Sequence, residues 1–246
     1  MPITNFWNKL IVHRYQIAIV VFTFALVPFS SSAQLFRWAR QNNPTYDDKK
    51  FTYGFSIGLQ NTNLQVKYSN QFVSHKFDSV QRVQPVTLPG FSLGFLINYH
   101  AAEFLDLRVM PKAGFYTYKL YYYYFNAPAQ SQTFDQTLVE VPVLLKYKSA
   151  RRGNVRMYMV GGVTPAFQAS GKNDVGSSTA ALSIQKHNIS LDVGMGFDLY
   201  YPFFKFSPEI RYSRGMSNMM GDKQTPYSEP LKKLNTNTIS IYFIFQ

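Results

Sequence analysis

The stretch Phe51-Thr-Tyr-Gly-Phe-Ser-Ile-Gly-Leu-Gln60 alternates large apolar residues with small or polar ones. Successive side chains of a strand point to opposite faces, so this is a ribbon with one greasy and one wet face. Seven more stretches repeat the pattern, which predicts strands over 51–60, 90–99, 105–123, 137–147, 155–166, 188–200, 203–214 and 236–245. The greasy faces include Phe91, Leu93, Phe95, Ile97 and Tyr99, then Val139, Val141, Val143, Leu145 and Tyr147. The segments between them alternate in length: 61–89, 124–136, 167–187 and 215–235 are long, whereas 100–104, 148–154 and 201–202 are short. The final stretch, Ile239 to Phe245, is aromatic-rich. Outer-membrane barrels have short turns on one side, long loops on the other and an even strand count. A soluble sandwich has no reason to keep that rhythm. The pattern therefore predicts an all-β fold, an eight-stranded antiparallel up-and-down transmembrane β-barrel over residues 51–246.

The first 33 residues read as a separate segment. Lys9 and Arg14 are its charges, Ile17 to Phe29 is an apolar run of 13 residues, and Ser31-Ser32-Ala33 precedes Gln34. This is the layout of a secretory signal peptide, with cleavage expected near Ala33 after Sec-type export. A membrane-anchoring helix fits less well, since about 20 apolar residues are needed to span a bilayer and Pro28 breaks the run. Residues 34–50 are expected to form a periplasmic leader. An unstructured leader is the favoured reading, although Asn43-Pro44 and Asp47-Asp48 are turn formers. Arg37, Trp38 and Arg40 are candidate partner contacts there, as are Arg151 and Arg152 in the basic turn Lys148 to Asn154.

Composition narrows the rest. The chain has no cysteine, which excludes disulfides and thiolate metal sites, while 18 Tyr and 22 Phe suit aromatic girdles. The formal charge of +12 would permit nucleic-acid binding. The basic residues are scattered, however, and the chain carries an export signal, so lipopolysaccharide phosphates or acidic envelope partners are the expected counterparts. The tyrosine run Tyr121 to Tyr124 is expected at the outer membrane interface, where amphipathic rings settle.

The wet faces hold the charges. Asp106, Arg108, Lys112, Glu140, Lys146, Arg156, Asp192, Asp198, Lys205, Glu209 and Arg211 all fall on the inward side of their predicted strands. Eight strands enclose a space only wide enough for side chains, and buried ions must pair. The expectation is a salt-bridged plug, with glycines such as Gly58, Gly94, Gly194 and Gly196 making room for it. A transport path or proton relay is the competing use of charges at membrane depth.

Enzyme chemistry has little support. His13 leaves with the signal peptide, and His75, His100 and His187 lie in or near predicted loops. Ser74 or Ser190 beside a histidine could be paired on paper, but a nucleophile and base need convergence in the fold. No phosphate loop, metal-ligand spacing or dinucleotide fingerprint occurs. No catalytic, cofactor or metal residues are assigned.

Several stretches together resemble the PorT family of outer-membrane β-barrels from the Bacteroidetes. They are Asn43-Pro-Thr-Tyr-Asp-Asp-Lys-Lys-Phe51, Pro89-Gly-Phe-Ser-Leu-Gly94, Leu105-Asp-Leu-Arg108, Val139-Glu-Val-Pro142 with Lys146-Tyr-Lys-Ser149, Leu191-Asp-Val-Gly194 and Phe204-Lys-Phe-Ser-Pro-Glu209. The Ala33–Gln34 junction is also typical of that phylum. The resemblance implies a part in the type IX secretion system, which also serves gliding motility in some members. It further implies an accessory or assembly role beside other secretion-system proteins, with no catalytic residues to carry over. The alternative is a structural or adhesive barrel of the OmpX or OmpA kind, binding external ligands through its long loops.

Overall fold

The computed structural model describes residues 42–69, 72, 80–125, 128–173, 185, 187–221 and 230–246. A short 3-10 turn, Tyr46–Asp48, precedes eleven strands: β1 (Phe51–Tyr68), β2 (Val80–Val86), β3 (Leu88–Ala102), β4 (Leu105–Val109), β5 (Lys112–Tyr124), β6 (Gln130–Glu140), β7 (Val143–Lys148), β8 (Val155–Asn173), β9 (His187–Tyr200), β10 (Lys205–Gly215) and β11 (Leu231–Phe245). β2 runs into β3, β4 into β5, and β6 into β7, so the eleven segments make eight ribbons. Each ribbon pairs antiparallel with the next, and β1 pairs with β11 from Phe55↔Phe245 onward, which closes the ring. The result is an eight-ribbon up-and-down barrel.

Two of the three breaks within ribbons fall at proline, and the third at Thr87. Pro111 and Pro142 have no N–H to give to a ladder, and each interrupts what was expected as one continuous strand. The neighbouring ribbons compensate. Phe95 N donates to Pro111 O (2.9 Å), Met110 N to Pro142 O (3.0 Å) and Val141 N to Pro165 O (3.0 Å). Alternation survives both breaks, since Arg108, Met110 and Lys112 all point inward, as do Glu140, Pro142 and Leu144.

The barrel is inverted relative to a soluble protein. Phe51, Tyr53, Phe55, Ile57 and Leu59 of β1 are exposed on the outside, while Ser56 and Gln60 are buried inside. Near the long-loop side of the outer band the register runs through Thr137, Phe115, Phe91, Leu59, Ile241 and Ile210. Phe91 and Phe115 stack there with ring centroids 4.6 Å apart. At the opposite level Phe51 packs on Tyr99 and Phe206 on Phe245, with centroids 5.1 Å and 5.0 Å apart. Aromatic girdles bounding an apolar belt are the signature of a barrel wall in a bilayer.

Above the belt the polarity flips. Beyond Gln60, β1 turns Asn61, Asn63, Gln65 and Lys67 outward and Leu64, Val66 and Tyr68 inward. Leu64 joins Leu120, Tyr122, Phe134, Leu231 and Leu234 in a conventional apolar core at the long-loop end. β1, β2, β5, β6 and β11 thus continue past the membrane as ordinary water-facing β-structure, with β8 paired alongside β6 as far as Asn173. This corrects the expected strand ends and loops. The segment 61–89 is largely wall, and the segment 124–136 shrinks to 125–129 because β6 starts at Gln130. A search for one constant greasy face stops where the inward and outward roles exchange. The tyrosine run is corrected too. Tyr122 is buried in this core, and Tyr121 and Tyr123 face outward well beyond Phe115, which holds the interface position instead.

Candidate functional site

All eleven lumen charges expected from sequence are buried in the barrel interior, and they meet in linked clusters. At the centre, the Arg108 guanidinium donates to Glu209 Oε2 at 2.7 Å, and Tyr158 OH donates to the same oxygen at 2.9 Å. Arg211 donates to the other oxygen of Glu209 and lies with its guanidinium 4.4 Å above the Tyr242 ring. Asn98 Oδ1 accepts from Arg108 Nε at 2.8 Å. Two arginines and a carboxylate held by fixed dipoles offset the desolvation of burying them together.

On the long-loop side, Lys112 Nζ stands 2.5 Å from Glu140 Oε2 and donates to Tyr242 OH at 2.6 Å. Tyr116 OH donates to the second Glu140 oxygen at 2.5 Å. Asp192 accepts from Thr164 Oγ1 at 2.6 Å and faces Arg211 at 3.8 Å. On the short-turn side, Lys146 Nζ is 2.6 Å from Asp198, which also accepts from Ser207 Oγ at 2.6 Å and has Lys205 at 4.0 Å. Among the described residues the lumen holds cavities of 30 Å³ above the central cluster and 20 Å³ below it. Holding a single water takes about 10–15 Å³, so they suit one or two waters each and no larger solute.

A Cβ at Gly94 would lie 2.5 Å from the Lys112 Cβ, as expected of a glycine that makes room for a charged side chain, whereas two other glycines act for tyrosine. A Cβ at Gly196 would lie 2.6 Å from the Tyr158 ring, and one at Gly58 would lie 2.6 Å from the Tyr242 ring. These rings fill the lumen between the charges, so the glycine positions serve the hydroxyls that hold Glu209 and Lys112.

Sequence reading missed three participants. Lys148, expected in a basic surface turn, is buried and bonds Asp106 at 2.6 Å. His100 Nδ1 lies 2.7 Å from the same Asp106 oxygen and 3.0 Å from Lys148 Nζ. The even numbering of Lys148, in phase with Lys146 and Leu144, was the available signal. The third is Asp47, from the segment before β1. It meets Arg156 at 3.2 Å and accepts from Tyr200 OH at 2.9 Å.

Asp47 belongs to a strap across the short-turn mouth, which corrects the expectation of an unstructured leader for its described part, residues 42–50. Asn42 Nδ2 donates to Tyr200 O at 3.0 Å and Asn43 Nδ2 to Tyr201 O at 2.8 Å. Asn43 takes a positive φ of 46°, a conformation that asparagine tolerates and that turns the chain over the rim. Tyr46 sits beneath Lys205, whose Nζ is 4.5 Å from its ring centroid. Burial, reinforced by the Asp198 and Asp47 carboxylates, holds the Tyr46 hydroxyl above the ordinary tyrosine range. Arg151 is corrected from a partner contact to a strap anchor. Its Nη1 donates to Asn43 O at 3.1 Å, and its guanidinium lies 3.7 Å from the Tyr200 ring centroid. Arg152 remains exposed. Arg37, Trp38 and Arg40 lie outside the described residues, as do residues 1–33, Ser74 and His75.

The remaining histidine–serine pairing separates. Ser190 lines the lumen cavity, whereas His187 stands on the exposed side of β9. Among the described residues no cluster of His, Cys, Asp or Glu could hold a metal ion.

Comparison with solved structures finds small outer-membrane barrels. Neisserial surface protein A is 14% identical, with 80% of this chain and 98% of that chain covered and a TM-score of 0.43. The outer membrane protein OprG from Pseudomonas aeruginosa is 12% identical, with 79% and 92% covered and a TM-score of 0.49. Ail, the attachment invasion locus protein of Yersinia pestis, is 11% identical, with 80% and 98% covered and a TM-score of 0.35. No curated protein sequence matches the chain. Residues 33–221 match the family described as outer membrane protein beta-barrel domain. The chain belongs to that family, and it is an outer-membrane β-barrel protein.

Proposed function

We propose that this barrel is an accessory or assembly component of the type IX secretion system, acting through partner contacts and not as a conduit. The observation that carries the reading is the filled lumen: ion pairs occupy its height and the Asn42–Lys50 strap crosses its short-turn mouth. A closed interior leaves the rims and outer wall as working surfaces. Support for the secretion role comes from the PorT resemblance. Its stretches contribute Asp47 to the strap and Asp106, Arg108, Glu140, Lys146, Asp192, Lys205 and Glu209 to the lumen. The same residues that carry the resemblance therefore build the closed interior.

In this reading the mature chain starts near Gln34 after Sec-type export. Arg37, Trp38 and Arg40, with exposed Arg152, are the residues that meet other secretion-system proteins in this reading. Deletion of the gene tests the role. Loss of extracellular cargo, restored by the intact gene, is the expected result; normal secretion in the deletion strain refutes it. The adhesive alternative draws on the wall that rises past the belt to Tyr68 and Asn173. It requires loss of surface binding in the same strain with secretion intact.

A further inference from the structure

The outer wall of β5 joins two features that the closed-lumen reading does not use. The first is an apolar groove of 500 Å³ in the belt, bounded by Phe55, Leu93, Phe95, Pro111, Ala113 and Val139. It opens where the small Ala113 follows the Pro111 break, so the wall is recessed between bulky neighbours. The second lies higher on the same face of the same strand. Lys119 Nζ is 4.8 Å from the Tyr121 ring centroid, Tyr121 and Tyr123 are 6.4 Å apart, and the Arg82 guanidinium from β2 lies 4.2 Å from the Tyr123 ring. The order up the wall is groove, aromatic rim at Phe115, cation, two tyrosines, cation.

Neither Lys119 nor Arg82 has a carboxylate within ion-pairing distance among the described residues; Asp135 on the adjacent β6 accepts from Thr117 at 2.6 Å. Lys119 lies six positions beyond Ala113 along β5. At about 3.3 Å per residue that is roughly 20 Å along the strand, and about 15 Å along the barrel axis at the usual tilt. A ligand spanning these features must be apolar at one end, anionic about 15 Å away, and flat-faced beyond that for the tyrosine rings.

We propose that this face binds lipid A, the phosphorylated and acylated sugar that anchors lipopolysaccharide. An acyl chain lies in the Ala113 groove, Lys119 and Arg82 take the phosphates, and Tyr121 and Tyr123 pack on the sugar. The assignment rests on the long-loop end facing outward, as short periplasmic turns require, and not on any role in secretion.

The test is lipid titration of the full mature chain in detergent micelles, read by native mass spectrometry, with heat-dependent gel mobility as the check on folding. Bisphosphorylated lipid A is expected to bind the wild-type protein more tightly than phosphatidylglycerol. The variant R82Q/K119Q is expected to lose about tenfold or more, as for two charge-assisted contacts. Filling the groove with Ala113→Trp is expected to weaken lipid A as well. The variant K67Q/K233Q, which removes the same charge from the neighbouring β1–β11 wall, is expected to bind as wild type. The site is refuted if R82Q/K119Q binds normally, if K67Q/K233Q loses as much, or if phosphatidylglycerol binds equally well. No secreted cargo enters the measurement, so its failure and the failure of the secretion role are separate results.

Discussion

Arg108 Nη1 and Glu209 Oε2 meet 2.7 Å apart across the barrel with both side chains fully buried, on ribbons 101 residues apart in sequence. Removing one partner leaves an uncompensated charge where no water can replace it. Glu209→Ala is therefore expected to lower the unfolding free energy by about 3–5 kcal/mol. Urea unfolding in lipid vesicles, followed by gel mobility, measures it. For the second pair, Glu140→Ala should cost a similar amount, and Lys112→Met with Glu140→Met should recover most of the loss. Equal stability of the wild type and Glu209→Ala would show that the central cluster holds nothing together.

The polarity flip on β1 sets where the membrane ends. The chain has no cysteine, so single cysteines carrying a nitroxide can be placed at will. Labels at Tyr53, Phe55, Ile57 and Leu59 are expected to be accessible to oxygen, and labels at Asn61, Asn63, Gln65 and Lys67 to a water-soluble nickel reagent. A crossover displaced to Lys67 would place the apolar core of Leu64 and Leu234 inside the bilayer.

The strap depends on Asp47, which faces Arg156 at 3.2 Å and Arg151 at 3.6 Å. Asp47→Ala or Arg151→Ala is expected to free the backbone around the exposed Lys49 and Lys50 for cleavage by trypsin while the barrel keeps its gel shift. Unchanged cleavage in both variants would mean that the strap is held by its backbone contacts alone.

Tyr46 makes the strap sensitive to alkali. Its folded hydroxyl stays protonated to higher pH than a free tyrosine, because burial penalises the phenolate. Above the unfolded value of about 10 the released strap loses its proton and the docked one keeps it, so docking weakens as pH rises further. A nitroxide at Lys49 is expected to stay immobile through neutral pH and gain mobility above about pH 10. Tyr46→Phe should flatten that response, and an unchanged pH profile would refute the role of the hydroxyl.

The barrel was legible in sequence because its belt obeys one rule: outward residues such as Phe95 and Leu145 are apolar, and inward ones such as Arg108 and Lys146 are charged. A soluble sheet alternates in the same way, and it was the long–short rhythm of the loops that placed the alternation in a membrane. The wall above the belt was not legible, because Leu64 and Leu234 occupy the same inward phase as Ser56 and Ser240 and the pattern looks broken when only its solvent has changed. The prolines misled less than they might have done elsewhere, since neighbouring ribbons supply the carbonyl and amide partners and phase is kept. Which charge pairs with which was beyond sequence altogether. Arg108 and Glu209 meet through ring closure, and Asp47 reaches Arg156 only because the strap folds back over the mouth.

Current through the purified protein in a planar lipid bilayer tests the closed lumen most directly. With the central cluster and strap in place, the wild-type protein is expected to give no steps above the bare membrane. Steady, discrete openings of the wild-type protein at neutral pH would contradict the closed lumen, and with it the assignment of function to the rims and outer wall.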